Sequence, residues 1–250
     1  MLLAFVVTLL AGLATSLGGA LALVPRWRAQ RKQATALALA AGAMIAVSIG
    51  EMLPHAHGEL AGPHQWRNTI LAFGVGILVA VALSRVIPRL QRYFWAQLDP
   101  GRNSAMVRTA MVAGAVMIAH NLPEGMATFQ ATLHDPQFGV GLAVAVAVHN
   151  IPEGMAVAAP LYLATGRLRP GLLWATVSGL AEPAGGLLGH LVFAGAAVST
   201  GGLLAALAAI MLTISAGELL PTAWRLAGRR RCLLGTAIGA AAMIGTLAVL

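Results

Sequence analysis

The chain has 250 residues, of which 58% are hydrophobic and 10% charged, and its mean hydropathy is +0.81. That is too apolar for a soluble domain, so the composition points to a single polytopic, all-α membrane domain over residues 1–250. The net charge of +8 does not imply nucleic acid, because the basic residues are split among short segments instead of forming one stripe.

Eight apolar runs are expected to be transmembrane helices, at about 2–24, 34–54, 68–88, 106–131, 139–164, 171–194, 202–222 and 233–250. The first run has no basic n-region, and basic residues instead of a small-residue cleavage site follow it, so it reads as a span and not as a signal peptide. Arg26, Arg28, Arg31 and Lys32 follow run one. Arg85, Arg89, Arg92, Arg102 and Arg108 follow run three, Arg167 and Arg169 run five, and Arg225, Arg229, Arg230 and Arg231 run seven. Only Arg67 falls in an even-numbered connection. The positive-inside rule then makes the odd connections cytoplasmic and puts both termini outside, which requires an even number of spans. The lone cysteine, Cys232, excludes an internal disulfide and reads as a small apolar residue at a helix start.

In run two, Met44 reads as packing, with a thioether ligand role as the alternative. The run ends on Ser48-Ile49-Gly50-Glu51-Met52-Leu53-Pro54, and run seven ends on Ser215-Ala216-Gly217-Glu218-Leu219-Leu220-Pro221. Five letters coincide in two helices of opposite direction, which predicts an inverted repeat. Pairing run two with seven pairs one with six, three with eight and four with five, about a pseudo-two-fold axis. Glu51 and Glu218 lie near the membrane faces, as solvated side chains or as ligands for ions arriving and leaving. The outer loop after run two carries His55, His57, Glu59 and His64, read either as a cation-concentrating mouth or as a solvated polar loop. Gly74 and Gly76 in run three suggest close helix packing. The connection at about 89–104, with Asp99-Pro100-Gly101, carries no evident chemistry.

Runs four and five carry matching words, His120-Asn121-Leu122-Pro123-Glu124-Gly125 and His149-Asn150-Ile151-Pro152-Glu153-Gly154. On a helix the first and fifth letters lie about 40° apart and about 6 Å along the axis, so His and Glu share a face, with Asn about 100° away. Each proline frees a carbonyl one turn earlier and favours a kink. In run six, Glu182 is followed by Pro183 and flanked by Gly179, Gly185 and Gly186, so a kink there aims its carboxylate at the same centre. Three acidic side chains facing lipid would cost on the order of 8 to 10 kcal/mol, so Glu124, Glu153 and Glu182 must face the bundle interior with compensation. No Lys or Arg lies mid-run to supply it, which leaves protonation or a metal. His120 and His149 favour a metal of the Zn²⁺ or Fe²⁺ type. Asn121 and Asn150 alone would read as interhelical hydrogen-bonding groups.

These two words, the stretch from Gly154 to Pro160, the stretch Ser178-Gly179-Leu180-Ala181-Glu182 and the eight-span count resemble the ZIP (Zrt/Irt-like) metal transporters, particularly their bacterial members. The likeness covers nearly the whole chain. It implies a 3+2+3 helix bundle and a binuclear metal site at the midplane. His120, His149, Glu124 and Glu153 would hold one ion, Asn121, Asn150 and Glu182 would complete a second, and Glu124 and Glu153 would bridge. The connection between helices three and four lacks the histidines often found there in the family, Pro183 stands at an unexpected position, and the pair His149-Asn150 is a variable one.

The function expected is uptake of divalent transition metals into the cytoplasm, Zn²⁺ first and then Fe²⁺, Mn²⁺ and Cd²⁺, by alternating access. No ATP-binding motif is present, and no catalytic cofactor or enzymatic activity is expected. The partners are the lipid bilayer and metal ions; a homodimer is left open. Heavy use of Ala and Arg suggests a GC-rich bacterial genome and hence the inner membrane. The rivals are a proton-coupled metal exporter and an intramembrane metalloenzyme. The second lacks the Glu-x-x-His and His-Glu-x-x-His spacings such enzymes use.

Overall fold

The computed structural model describes residues 1–25, 30–95, 104–193 and 199–249. These residues are almost wholly helical, as expected where the solvent offers backbone groups no partner. Helix α1 spans Leu2–Ala22, α2 Gln30–Val47, α3 Leu53–Glu59, α4 Gln65–Trp95 and α5 Ser104–His134. They are followed by α6 at Pro136–Thr165, α7 at Leu168–Phe193, α8 at Thr200–Ile214, α9 at Leu220–Ala227 and α10 at Arg229–Leu247. Short π turns, Ser48–Met52 and Ser215–Leu219, join α2 to α3 and α8 to α9. Among the described residues the ten segments therefore make eight rods, each covering most or all of one apolar run. Five stretches, Leu2–Ala22, Arg31–Glu59, Gln65–Ile87, Pro136–Thr165 and Thr200–Ala227, are long and apolar enough to cross a membrane. Helices α5, α7 and α10, of 31, 26 and 19 residues, complete the set of a multi-pass membrane protein.

The π turns correct one expectation. Run two does not end at Pro54; the chain stays helical to Glu59, so His55, His57 and Glu59 lie on α3 and only His64 remains in the connecting turn. The Leu53 N–H donates to the Ser48 carbonyl, five residues back, and Leu220 donates to Ser215 in the same way. Proline cannot donate and clashes with the carbonyl four residues before it. The wider turn relieves that clash and leaves Pro54 and Pro221 in the first turn of α3 and α9, where no N–H is needed.

Other boundaries follow ordinary capping chemistry. The Asp135 carboxylate accepts from the N–H groups of Gln137 and Phe138 at the start of α6, and Gly166 ends that helix with φ of 66°. Arg31 and Lys32 lie in the first turn of α2, Arg85 and Arg89 late in α4, and Arg229, Arg230 and Arg231 in the first turn of α10. Arg26, Arg28, Arg102 and the sequence Asp99-Pro100-Gly101 lie outside the described residues.

Helices α5 and α6 pack against each other; α1 lies on α6, α7 on α5, α10 on α2 and α4 on α8. The interior between α2, α6 and α8 is filled by Met44, Leu142, Leu204, Leu207, Met211 and Ile214. Leu10, Leu17, Ile70, Leu78, Leu191 and Ile244 are exposed, the apolar outer surface that acyl chains would cover.

Candidate metal centre

All seven polar residues of the expected site are buried: His120, Asn121 and Glu124 on α5, His149, Asn150 and Glu153 on α6, and Glu182 on α7. Both glutamate-bearing words run through their prolines without leaving the helix. The glycine ending each word is where a neighbouring helix comes closest. A Cβ on Gly125 would collide with the backbone of Glu182 in α7, and one on Gly154 with the backbone of Thr15 in α1. That contact is what brings Glu182 beside the α5 word.

The asparagines are held by their amide nitrogens. Asn121 Nδ2 donates to the Ser178 carbonyl at 3.0 Å and to its hydroxyl at 3.2 Å. Asn150 Nδ2 donates to the Ala11 carbonyl at 2.9 Å and to Glu182 Oε1 at 2.6 Å. Backbone carbonyls only accept, so each amide must turn its nitrogen to the neighbouring helix and keep its oxygen free. Among the described residues Asn121 Oδ1 and Asn150 Oδ1 have no partner, nor do Glu124 Oε2, either oxygen of Glu153, Glu182 Oε2 or either nitrogen of His120.

His149 is held the same way: its Nδ1 donates to the Ala145 carbonyl at 3.1 Å, which directs the lone pair of a neutral ring outward from Nε2. That Nε2 lies 2.7 Å from Glu124 Oε1. Two acceptors approach so closely only with a proton or a cation between them. His120 Nε2 stands 3.8 Å from Glu124 Oε2 and 3.9 Å from Glu153 Oε1. Among the described residues no three His, Cys, Asp or Glu side chains already stand arranged to hold a metal ion. Closing ligands round one requires the His149–Glu124 contact to open, and the unpartnered acceptors around it supply the remaining lone pairs. With no buried Lys or Arg among the described residues, the chemistry offered is that of a cation receptor of mixed nitrogen and oxygen ligands.

The other candidates separate from this cluster. Met44 is buried and its sulfur accepts from the Ser215 hydroxyl at 3.6 Å. Glu51 lines a cavity of about 220 Å³ with Asp135, Gln137 and Phe138. Glu218 accepts from the Ser84 hydroxyl at 2.5 Å. His57 Nδ1 is paired with Thr69 Oγ1 at 3.1 Å.

Sequence reasoning missed Ser178 and Thr15. Ser178 precedes Glu182 by one helical turn on the same face, a spacing that was readable. Thr15 needed the repeat: the shift that carries Glu51 onto Glu218 also carries Met44 onto Met211, Ala11 onto Ser178, Gly12 onto Gly179 and Thr15 onto Glu182. The asparagine bonds to Ala11 and Ser178, and the glycine contacts to Thr15 and Glu182, are thus counterparts. Thr15 is buried and its hydroxyl has no partner.

Residues 97–246 match the family model described as ZIP Zinc transporter. The chain is 40% identical to a protein named Zinc transporter ZupT from Corynebacterium aurimucosum, over 98% of this chain and 96% of that one. It is 39% identical to the protein of the same name from Stenotrophomonas maltophilia, over 99% and 94%. With that of Nitratidesulfovibrio vulgaris it shares 38% identity over 97% and 95%.

Proposed function

The chain belongs to the ZIP zinc transporter family, and from that premise we propose that it takes up divalent transition metals, Zn²⁺ first with Fe²⁺, Mn²⁺ and Cd²⁺ as companions, through a site between α5, α6 and α7. The observation that carries this reading is the set of buried polar atoms without partners, namely both nitrogens of His120, four carboxylate oxygens and two amide oxygens, with no buried Lys or Arg among the described residues. Each buried polar atom left unpaired costs about 1–3 kcal/mol, so the group is tolerable only if its cargo completes it. His120, His149, Glu124 and Glu153 take one ion; Asn121, Asn150 and Glu182 complete a second, with the two word glutamates shared. Imidazole and carboxylate ligands bind more weakly than thiolates, which suits a site that must release what it binds.

The paired helix contacts support two halves related as an inverted repeat, with both termini outside and alternating access at their interface. The two ends of the pore differ: a cavity lies beside Glu51, whereas the Glu218 carboxylate is engaged by the Ser84 hydroxyl. That asymmetry supports a form open on the Glu51 side, the outer one by the charge rule. The test is ⁶⁵Zn²⁺ uptake into proteoliposomes by the wild type and by a Glu124→Ala, Glu153→Ala variant. Uptake should fall to the level of empty vesicles; a variant transporting like the wild type would remove the site from the pathway.

A further inference from the structure

A second group of metal-ligating side chains stands apart from the bundle centre. Glu59, in the last turn of α3, lies between two imidazoles: its Oε1 is 3.8 Å from His55 Nε2 and its Oε2 is 3.2 Å from His134 Nε2. His134 belongs to the last turn of α5, so two elements distant in sequence supply the cluster. The His55 ring is fixed in place, stacked on Phe138 with centroids 3.5 Å apart and planes 6° off parallel. Its Nε2 is shielded from solvent and has no hydrogen-bond partner. His134 is the opposite case, with its side chain 57% exposed.

We infer that His55, Glu59 and His134 form a surface site for a divalent transition-metal ion, which loads the pore beneath it.

As they stand the three side chains do not converge on one point, and the longer separation leaves room for an ion between His55 and Glu59. A 3.8 Å separation is too long for a hydrogen bond, and part-exposed ion pairs of this type add little stability. Two ligands on one tetrahedral zinc, each about 2.0–2.1 Å from it, stand about 3.3 Å apart. The two observed separations bracket that value, and a small rotation of the part-exposed Glu59 side chain closes the longer one. Two imidazoles and one carboxylate select zinc-like ions over Ca²⁺ or Mg²⁺, which prefer all-oxygen shells. Three protein ligands leave a fourth position to water, so the ion remains exchangeable.

The site also lies on a route. Glu51, His55 and Glu59 follow one another at four-residue spacing, and Phe138, which stacks on His55, lines the cavity beside Glu51. An ion released from Glu59 would therefore meet that cavity next. The loading role rests on the uptake reading above, whereas binding itself does not.

The test uses the full chain purified in detergent, with the central site removed by Glu124→Ala and Glu153→Ala. Zn²⁺ bound at equilibrium is counted by dialysis before and after adding His55→Gln and His134→Gln, and carbethoxylation of His134 by diethylpyrocarbonate is followed by mass spectrometry. The expected result is one equivalent of Zn²⁺ lost on adding the histidine substitutions, with His134 protected by Zn²⁺ but not by Mg²⁺. An unchanged stoichiometry, or modification of His134 indifferent to Zn²⁺, overturns the site. In proteoliposomes His134→Gln alone should raise the KM for Zn²⁺ on the order of tenfold through lost local concentration of the ion, with maximal rate retained. An unchanged KM overturns the loading role. If the central double variant still transported Zn²⁺, the pore assignment would fall while surface binding stood, so the two readings fail separately.

Discussion

Substituting Gly154 by alanine tests the link between helix packing and ligand placement. The added methyl would meet the Thr15 carbonyl and the Gly19 nitrogen, all backbone atoms of α1, so no side-chain rotation can relieve the clash. Carbon atoms pack no closer than about 3.5 Å, and α1 must withdraw from α6 by about 1 Å or more. Overpacking of this kind costs about 1–3 kcal/mol, and backbone on the opposing side puts Gly154→Ala near the upper figure. For a chain of this size that lowers Tm by about 6–12 °C. The same withdrawal stretches the 2.9 Å bond from Asn150 to the Ala11 carbonyl beyond hydrogen-bond range. Asn150 then no longer orients Glu182, and Zn²⁺ affinity falls along with stability. Thermal unfolding of detergent-solubilised protein with and without Zn²⁺ reads both effects. Gly74→Ala is the control, because a Cβ there meets nothing and helix propensity favours alanine by up to about 1 kcal/mol. If Gly154→Ala melts with the Gly74→Ala protein and keeps its Zn²⁺ response, the close approach of α1 and α6 does not set the site.

Further outcomes follow from the same geometry. Saturating Zn²⁺, at about a hundred times its Kd, should stabilise the wild type by about 2.7 kcal/mol, visible as a raised Tm that Glu124→Ala with Glu153→Ala abolishes; an equal rise in that variant would place binding elsewhere. Glu182→Thr should lower the number of ions bound at the centre, and adding Thr15→Glu should restore part of the loss if the two halves face the site equivalently; calorimetric titration with Zn²⁺ decides, and no recovery would reject that equivalence. Ser84→Ala removes the hydroxyl that holds Glu218 at 2.5 Å, so a cysteine placed at buried Leu219 in a Cys232→Ser background should react faster with a maleimide, and an unchanged rate would show that the contact closes nothing.

Much of the site was legible in the chain because its parts are local. The four-residue spacing of His120 to Glu124 and of His149 to Glu153 puts imidazole and carboxylate on one helix face whatever surrounds the helix. A midspan carboxylate with no cationic partner is informative for the same reason, since its cost depends on the solvent and not on the neighbours. Glu182 was readable through Pro183 and its glycines. The end of run two was misjudged because proline usually stops a helix; here the wide turn at Ser48–Met52 absorbs it, and α3 runs on to Glu59. Hydropathy carries no signal for one extra residue in a turn.

By itself the sequence determined the number of rods, the face each candidate ligand occupies and the lack of a midspan Lys or Arg, all of which follow from composition and helical period. Only the tertiary structure decided which lone pairs remain free. Asn121 and Asn150 spend their amide protons on Ser178 and Ala11, His149 spends one on Ala145, and Glu59 meets His134 across two helices. These pairings depend on how closely glycine-lined backbones approach, a many-body packing result that local spacing does not encode.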